Sequence, residues 1–563
     1  MAVAEVVYVD WRGNAVDERR HGGIRATIFL YGKALEVSKL HGTVVLFMLR
    51  SCPSSSNSSI VAYLHGTLHL DIVTSSTLTS YVAGAVLISA ALMNFISDAY
   101  IKRTTAIFVF SPCVVLGYML LALQAQLPSL HPPLCAINKE PNNCKPAQGW
   151  NFALLYLSLS MFAVGEGCMR SCIPSLGGDQ FSSDDPKKSQ LKSTFLIWLK
   201  FANSIGAIIG LVFLVWMENN LGWNIGFMMC AVIVLVGLFV AVSGTPFYRI
   251  QKPNGSPLTR TLQSCKRLTD KIALTNIEYD MLSQLSSTRM IIGQIVYTIW
   301  STTQIDETRS IIQMLPIFIS CLLIYLPFTL LMTLIIQVGS TMDTGAGKIQ
   351  IRSASLIAIP TIFRMLMQPC YKRVLIPLLG KITGHAQGIT PLQSIGVGSA
   401  CGTAAAFFAT LVETKRLNVV EQHELISFGT GVPMSVFWLV IQFFLLSIMD
   451  ITSFGGLIEF IKSDTPLWMK PIAPTMQSFL AGLAAWSGCA FIQLVNGVTR
   501  HSSGGKGWLD GANFNRTRLN RFFLLLAAFE LIAFINYTFW ARRYTRKQQR
   551  ISSVESDEDG IEM

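Results

Sequence analysis

Arg170 stands inside an apolar, helix-forming stretch, LLYLSLSMFAVGEGCMRSCIPSLGGDQF, with Glu166 one helical turn before it. An arginine at membrane depth costs about 2.5–3.5 kcal/mol on insertion scales. Such a group is kept where it faces water, a counter-charge or a ligand, so Arg170 marks a polar path through an apolar bundle. Two charge pairings are open to it. Glu166 is its i,i+4 neighbour and would neutralise it on the same helix face. Asp450, in VIQFFLLSIMDITSFGGLIEF, is the acid near the middle of its own apolar stretch. The pairing expected here is Arg170 with Asp450, because each group is otherwise costly. Protonating the acid would release the arginine and couple proton movement to the opening of a path.

Other charges share this setting. Lys200, in STFLIWLKFANSIGAIIG, lies about two turns inside its stretch, where its stem would also allow snorkelling. Arg364, in LIAIPTIFRMLMQPCYKR, lies near the middle of its stretch and reaches an interface less easily. Arg170, Lys200 and Arg364 against Asp450 would make a central cavity attractive to an anion. The first stretch carries Lys33, Glu36, Lys39 and His41, a dense set of ionisable groups; Glu36 and Lys33 can pair at i,i+3. There is no phosphate loop, HExxH, nucleophile elbow or zinc spacing, so the residues point neither to an enzyme nor to a metal or cofactor.

The elements that must position these groups follow from composition. The chain of 563 residues is 51% hydrophobic and 13% charged, with mean hydropathy +0.47; soluble chains carry about 25% charge. Apolar stretches near 24–49, 72–96, 104–126, 150–174, 193–217, 222–243, 311–337, 353–379, 391–413, 428–460, 470–498 and 519–541 could each span about 30 Å as a helix. The fold class is therefore an all-α polytopic membrane protein of 12 transmembrane helices in two six-helix halves. The expected divisions are a cytoplasmic segment 1–23, a bundle 24–244, a cytoplasmic linker 245–310, a second bundle 311–541 and a cytoplasmic tail 542–563. Two six-helix halves around a linker suit a repeat-built secondary transporter.

The net charge of +12 does not point to nucleic acid. Lys102, Arg103, Lys187, Lys188, Lys372, Arg373 and the cluster Arg542, Arg543, Arg546, Lys547 and Arg550 all fall on one side if the N-terminus is cytoplasmic. The sequon Asn57-Ser58-Ser59 then lies outside, as does Asn515-Arg516-Thr517, which stands too near the last stretch for use. The first twenty residues lack a signal-peptide core. Cys135 and Cys144, in an outside loop, could form a local disulfide, while most other cysteines read as small hydrophobes. SDAYIKRTT after the second stretch and QPCYKRVLIP after the eighth form a weak internal echo. Gly206, Gly210, Gly396, Gly398, Gly431, Gly455 and Gly456 fall in or beside apolar stretches, where small residues let helices approach.

Five blocks in order, VDWRGNAVDERRHGGIRATIF, GEGCMRSCIPSLGGDQF, GTPFYRIQKPNGSPLTR, DETRSIIQMLPIF and GITPLQSIGVG, resemble the plant nitrate and peptide transporter family, the proton-dependent oligopeptide transporter branch of the major facilitator superfamily. The resemblance runs from about Val9 to Arg543 and implies twelve helices around a midplane cavity, with alternating access driven by a proton gradient. It places Arg170 where the family has a lysine and Asp450 where it has another acid; an arginine does not deprotonate, so the acid would titrate. The chain departs from the family in three places. Ala34, Val37 and Ser38 stand in the ExxER motif linked to proton coupling, with Glu36 nearby. Phe328 stands where nitrate-transporting members have a histidine. Tyr371-Lys372-Arg373 replaces Tyr-Asp-Arg.

The expected function is secondary transport of a small non-peptide anion, of the nitrate, carboxylate-hormone or glycoside class, with protons as the coupling partner. The alternatives are a proton-independent facilitator or exporter, and a ligand sensor without sustained transport. The plasma membrane is expected ahead of the vacuolar membrane. The acidic, serine-containing end ISSVESDEDGIEM reads as a solvated tail or a site of modification.

Overall fold

The computed structural model describes residues 8–12, 51–53, 59–68, 70–130, 149–181, 186–253, 302–343, 345–346, 349–350, 356, 358–371, 374, 376–383, 388–423, 431–465, 470–502, 507–510 and 514–561. The first apolar stretch with Glu36, Lys33, Lys39 and His41, the Asn57 sequon, Cys135, Cys144 and most of the linker lie outside them, as does the side chain of Lys200.

Among the described residues, ten helices are long and apolar enough to cross a membrane. A short α1 (Ile60–Gly66) precedes α2 (Ile72–Ala99), α3 (Arg103–Gln126), α4 (Trp150–Asp179), α5 (Pro186–Asn220) and α6 (Trp223–Ser243). The second set comprises α7 (Thr302–Gly339), α8 (Ala358–Cys370), α9 (Pro391–Gln422), α10 (Val436–Asp464), α11 (Ala473–Ser502) and α12 (Leu519–Ile561). From α2 onward these follow the apolar stretches in order. Stretch 353–379 departs from expectation: α8 holds 13 residues with Pro369 near its end, and a separate helix, Ile376–Thr383, follows. Proline lacks the amide proton the helix needs and its ring crowds the preceding turn, so the continuous span breaks there. The tail also differs, because α12 runs on helically through it to Ile561.

Glycines set how closely the helices approach. In the GEG triplet of α4, a Cβ on Gly165 would lie 2.7 Å from the Phe110 carbonyl oxygen of α3, and one on Gly167 would lie 2.0 Å from Ser89 Oγ of α2. Ser89 Oγ then donates to the Ala163 carbonyl at 2.8 Å, an interhelical bond the short distance makes possible. The two halves meet along α2 and α11. There Gly84 and Gly482 abut, Trp486 Nε1 donates to the Tyr81 carbonyl at 3.1 Å, and Asn94 Nδ2 donates to Thr475 Oγ1 at 2.7 Å. Ser76 Oγ donates to Gln337 Oε1 of α7 at 3.1 Å, and Leu211 and Val215 of α5 pack on Ala358 of α8.

Among the described residues, strand structure is confined to short pairs. β1 (Tyr8–Val9) runs antiparallel to β2 (Ile250–Gln251), with Tyr8 opposite Gln251. β3 (Met342–Asp343) pairs parallel with β6 (Val432–Ser435), and β4 (Gly345–Ala346) pairs antiparallel with β5 (Ile349–Gln350). The first pair is clasped to the end of α4. Gln180 Oε1 accepts from the Arg249 amide at 2.9 Å, Gln180 Nε2 donates to the Arg249 carbonyl at 3.0 Å, and the Arg249 guanidinium lies 3.7 Å from the Tyr8 ring centre.

Buried charge is answered in place. Arg416 of α9 is fully buried, yet each of its donors is used. Nε and Nη2 reach the two oxygens of Glu413 at 2.9 and 2.7 Å, Nη1 reaches Asn515 Oδ1 at 2.7 Å and Thr341 Oγ1 at 3.3 Å, and Nη2 also reaches the Phe514 carbonyl at 3.2 Å. Asn515, the first residue of the second sequon, lends its side-chain oxygen to this cluster. Removing one partner of such a pair leaves the other charge buried and costs about 3–5 kcal/mol, whereas an apolar replacement of both is far milder. Arg416→Ala should therefore lower the melting temperature of the purified protein much more than the double replacement Arg416→Met with Glu413→Leu. Equal losses in the two variants would show that the pair is not compensated as described.

Candidate functional site

Between the halves lies a vestibule of about 570 Å³. Its walls come from α2 (Ala90, Asn94, Asp98), the start of α3 (Arg103), the last three turns of α4 (Arg170, Ser171, Pro174, Asp179), the end of α10 (Lys462), the short turn Lys470–Ile472 (Lys470) and the start of α11 (Thr475). Small and hydroxylated residues keep α2, α4 and α11 narrow here, which leaves volume between them. Arg170 is exposed on this wall, whereas Glu166, four residues before it, is buried near the Tyr118 hydroxyl. The two groups therefore occupy different environments, one facing the path and the other the interior of the first half.

Arg103 holds both acids of the vestibule. Its Nη2 lies 2.6 Å from Asp98 Oδ1, and its Nη1 pairs with Asp179 Oδ2. With both carboxylates committed to Arg103, the other charged side chains on the described wall are Arg170, Lys462 and Lys470, all basic. The described wall is net positive, and an anion entering it exchanges water for fixed cations.

Asp450 sits elsewhere, at the first position of a π-helical turn, Asp450–Phe454, inside α10. A π-turn inserts one extra residue into a helix and re-aims the side chains beside it. It is seated against α9. A Cβ on Gly398 would lie 2.1 Å from Ser453 Oγ, Ser453 Oγ donates to the Ile395 carbonyl at 3.3 Å, and Ser394 Oγ donates to the Thr452 carbonyl at 3.0 Å. From α7, Tyr325 OH donates to the Ser453 carbonyl at 3.3 Å, and its ring stacks on Phe454 with centres 4.2 Å apart. Phe328 meets Phe454 edge-on at 5.3 Å. It seals the turn and offers no donor.

The expected pair of Arg170 with Asp450 is not made in this conformation. Asp450 Oδ2 accepts from Arg364 Nη1 at 3.0 Å instead. The reason is local. α8 packs along α10, where Ser447 Oγ donates to the Pro360 carbonyl at 3.1 Å, so Arg364 reaches the acid from the same half. The side chains of Arg364 and Asp450 are 39% and 22% exposed, so the pair is not sealed inside the bundle. Of the predicted groups, Arg364 and Asp450 thus come together and Arg170 faces the vestibule, while Lys200 and Glu36 lie outside the described side chains. Lys462 and Lys470 escaped the sequence reading, and Arg103 was read there as a basic residue of the cytoplasmic side alone. They stand at helix ends, where basic residues are the rule on one side of a membrane, and the DQF of the second block was the signal available for Asp179.

Residues 104–509 match the model of the POT family. Protein NRT1/PTR family 4.5 of Arabidopsis thaliana is 30% identical over 95% of this chain and 96% of its own length. Family 4.4 of the same plant is 30% identical over 98% and 94%. Among solved structures, the POT family transporter PepTSo superposes with a TM-score of 0.68 at 15% identity over 93% of this chain and 99% of its own. A POT family transporter in complex with 5-aminolevulinic acid gives 0.63 at 14%, covering 92% of this chain and 100% of its own. The fold class read from the sequence, twelve helices in two halves of major facilitator type, agrees with these likenesses.

A water-exposed ion pair contributes about 0.2–1 kcal/mol. A double-mutant cycle on Arg364→Ala and Asp450→Ala, read by thermal unfolding, should return a coupling in that range. A coupling of several kcal/mol would make the pair a structural strut unable to open.

Proposed function

The chain belongs to the POT family and is a multi-pass membrane transporter, and on that premise we propose that it carries a small non-peptide anion by proton-coupled alternating access. The observation that carries the reading is the net positive wall of the vestibule, with Arg170, Lys462 and Lys470 beside acids already held by Arg103. A zwitterionic peptide would need a matching carboxylate for its amino end, and the described wall offers none beyond those two.

Asp450 is the coupling acid in this reading. As a carboxylate it holds Arg364 at 3.0 Å. Protonation removes the charge that favours the pair, and Arg364 is released toward an anion. Arg170 lines the vestibule from the first half, and Arg364 stands in the second half beside Asp450. An anion in the vestibule would be shared by basic groups of both halves, Arg170 from the first and Lys462 from the second. Closure is thus favoured by the loaded state, which is the differential interaction that any coupled conformational change requires. With Ala34, Val37 and Ser38 departing from the coupling motif, coupling in this reading rests on Asp450. The chain is placed in the plasma membrane ahead of the vacuolar membrane, and protons and one small solute are its partners.

Uptake of nitrate, carboxylates, glycosides and dipeptides, compared at about pH 5.5 and about pH 7.5, tests the reading. Anions should enter faster at the lower pH and dipeptides should not compete. Asp450→Asn should abolish the pH dependence, and Arg170→Gln should lower anion uptake by about tenfold or more, the loss of one charge-assisted contact. Uptake independent of pH would make the protein a facilitator, and saturable ligand binding without uptake would make it a sensor. Dipeptide uptake that Arg170→Gln leaves intact would refute the anion assignment.

A further inference from the structure

The face of α12 that looks away from the bundle changes character along its length. Ile535 and Phe539 are 60% and 59% exposed, and Arg542, Arg543, Arg546 and Lys547 follow on the same side and are all exposed. Together they line an open groove of about 950 Å³. The spacing of three and four residues makes this one stripe, since each residue advances about 100° round the axis. The stripe's outward direction is held by the opposite face. Tyr544, about half a turn from both Arg542 and Arg546, is buried, donates to Asp464 Oδ2 at 2.8 Å, and meets Phe460 edge-on at 5.4 Å.

The change from apolar to basic falls at the depth where hydrocarbon ends. Ile535 lies 16 residues beyond Leu519, the first residue of α12, and Arg542 lies 23 beyond it. At about 1.5 Å per residue these are about 24 Å and 35 Å along the axis, on either side of the roughly 30 Å thickness of a bilayer core. No carboxylate lies within salt-bridge distance of the four cations among the described residues, and Arg543 is otherwise placed 5.4 Å from the Trp540 ring centre. Four cations in a groove directly below two apolar side chains match the shape of one phospholipid, with acyl chain above and phosphate below.

We infer that this groove binds the headgroup of an anionic phospholipid, with Ile535 and Phe539 against the acyl chain and Arg542, Arg543, Arg546 and Lys547 around the phosphate. The apolar upper half favours a lipid over a free phosphate, which would use only the cations.

The test titrates the purified full-length protein in mixed micelles with dioleoylphosphatidylserine, with dioleoylphosphatidylcholine, and with inorganic phosphate as competitor. Each cation near a headgroup contributes roughly fivefold, so Arg542→Gln with Arg546→Gln should weaken phosphatidylserine binding by on the order of 25-fold. Replacing the same two arginines by lysine should retain most of it. Phosphatidylcholine should bind at least about tenfold more weakly than phosphatidylserine, and inorganic phosphate should compete poorly. Equal binding of the two lipids, full competition by phosphate, or an unchanged affinity in the glutamine variant would overturn the inference. If the glutamine variant fails to elute as a single species, the wild-type protein decides. Its phosphatidylserine affinity should fall as ionic strength is raised, because exposed charges are screened, and salt-independent binding would overturn the inference.

Discussion

A charged side chain withdrawn from water is stable only when another group answers its charge, and the arrangement of this bundle follows from how each one is answered. Arg416 is answered completely, by Glu413, Asn515, Thr341 and the Phe514 carbonyl, and it ties α9 to the turn before α12. Arg103 is answered by Asp98 and Asp179 and ties together the ends of α2, α3 and α4. Arg364 and Asp450 answer each other while still partly exposed. The degree of exposure separates these roles. A dry pair costs several kcal/mol to break and serves as a fastening, whereas a wet pair costs little and can change partners.

Close backbone approach is the second constraint, and it is what allows the first to operate. Gly165 and Gly167 draw α4 against α3 and α2, which turns Glu166 inward and leaves Arg170 on the vestibule wall. Gly398 admits the π-turn of α10 and thereby sets the direction of Asp450. Gly84 and Gly482 bring the halves together along α2 and α11. Hydrocarbon provides no hydrophobic drive between helices, so packing and interhelical hydrogen bonds must supply the association. Ser89, Ser394, Ser447 and Ser453 provide such bonds at these contacts.

Much of this was legible beforehand, and the failures have a common cause. Arg170, Arg364 and Asp450 stood out because a charge in an apolar run is visible in one dimension. Their partners were not. The pairing of Arg170 with Asp450 was argued from cost alone, and cost names the residues that need a partner without saying which helix supplies it. Stretch 353–379 looked continuous by hydropathy, although Pro369 already carried the reason for its break. Lys462 and Lys470 were hidden among ordinary helix-end charges until α10 and α11 placed them on one wall with Arg170.

The sequence alone determined the class of molecule: a many-helix membrane transporter, its spans, the residues too costly to be passive, and the family whose blocks it carries. These are local or compositional properties, because the bilayer acts on each stretch separately through length and hydropathy. Tertiary structure alone decided who pairs with whom, which side of α4 faces the path, and where α10 departs from α-helical winding. Those depend on helix rotation and on contacts between residues far apart in the chain. Rotation is set by where glycines and hydroxyls permit close packing, and that information appears only once the helices are assembled.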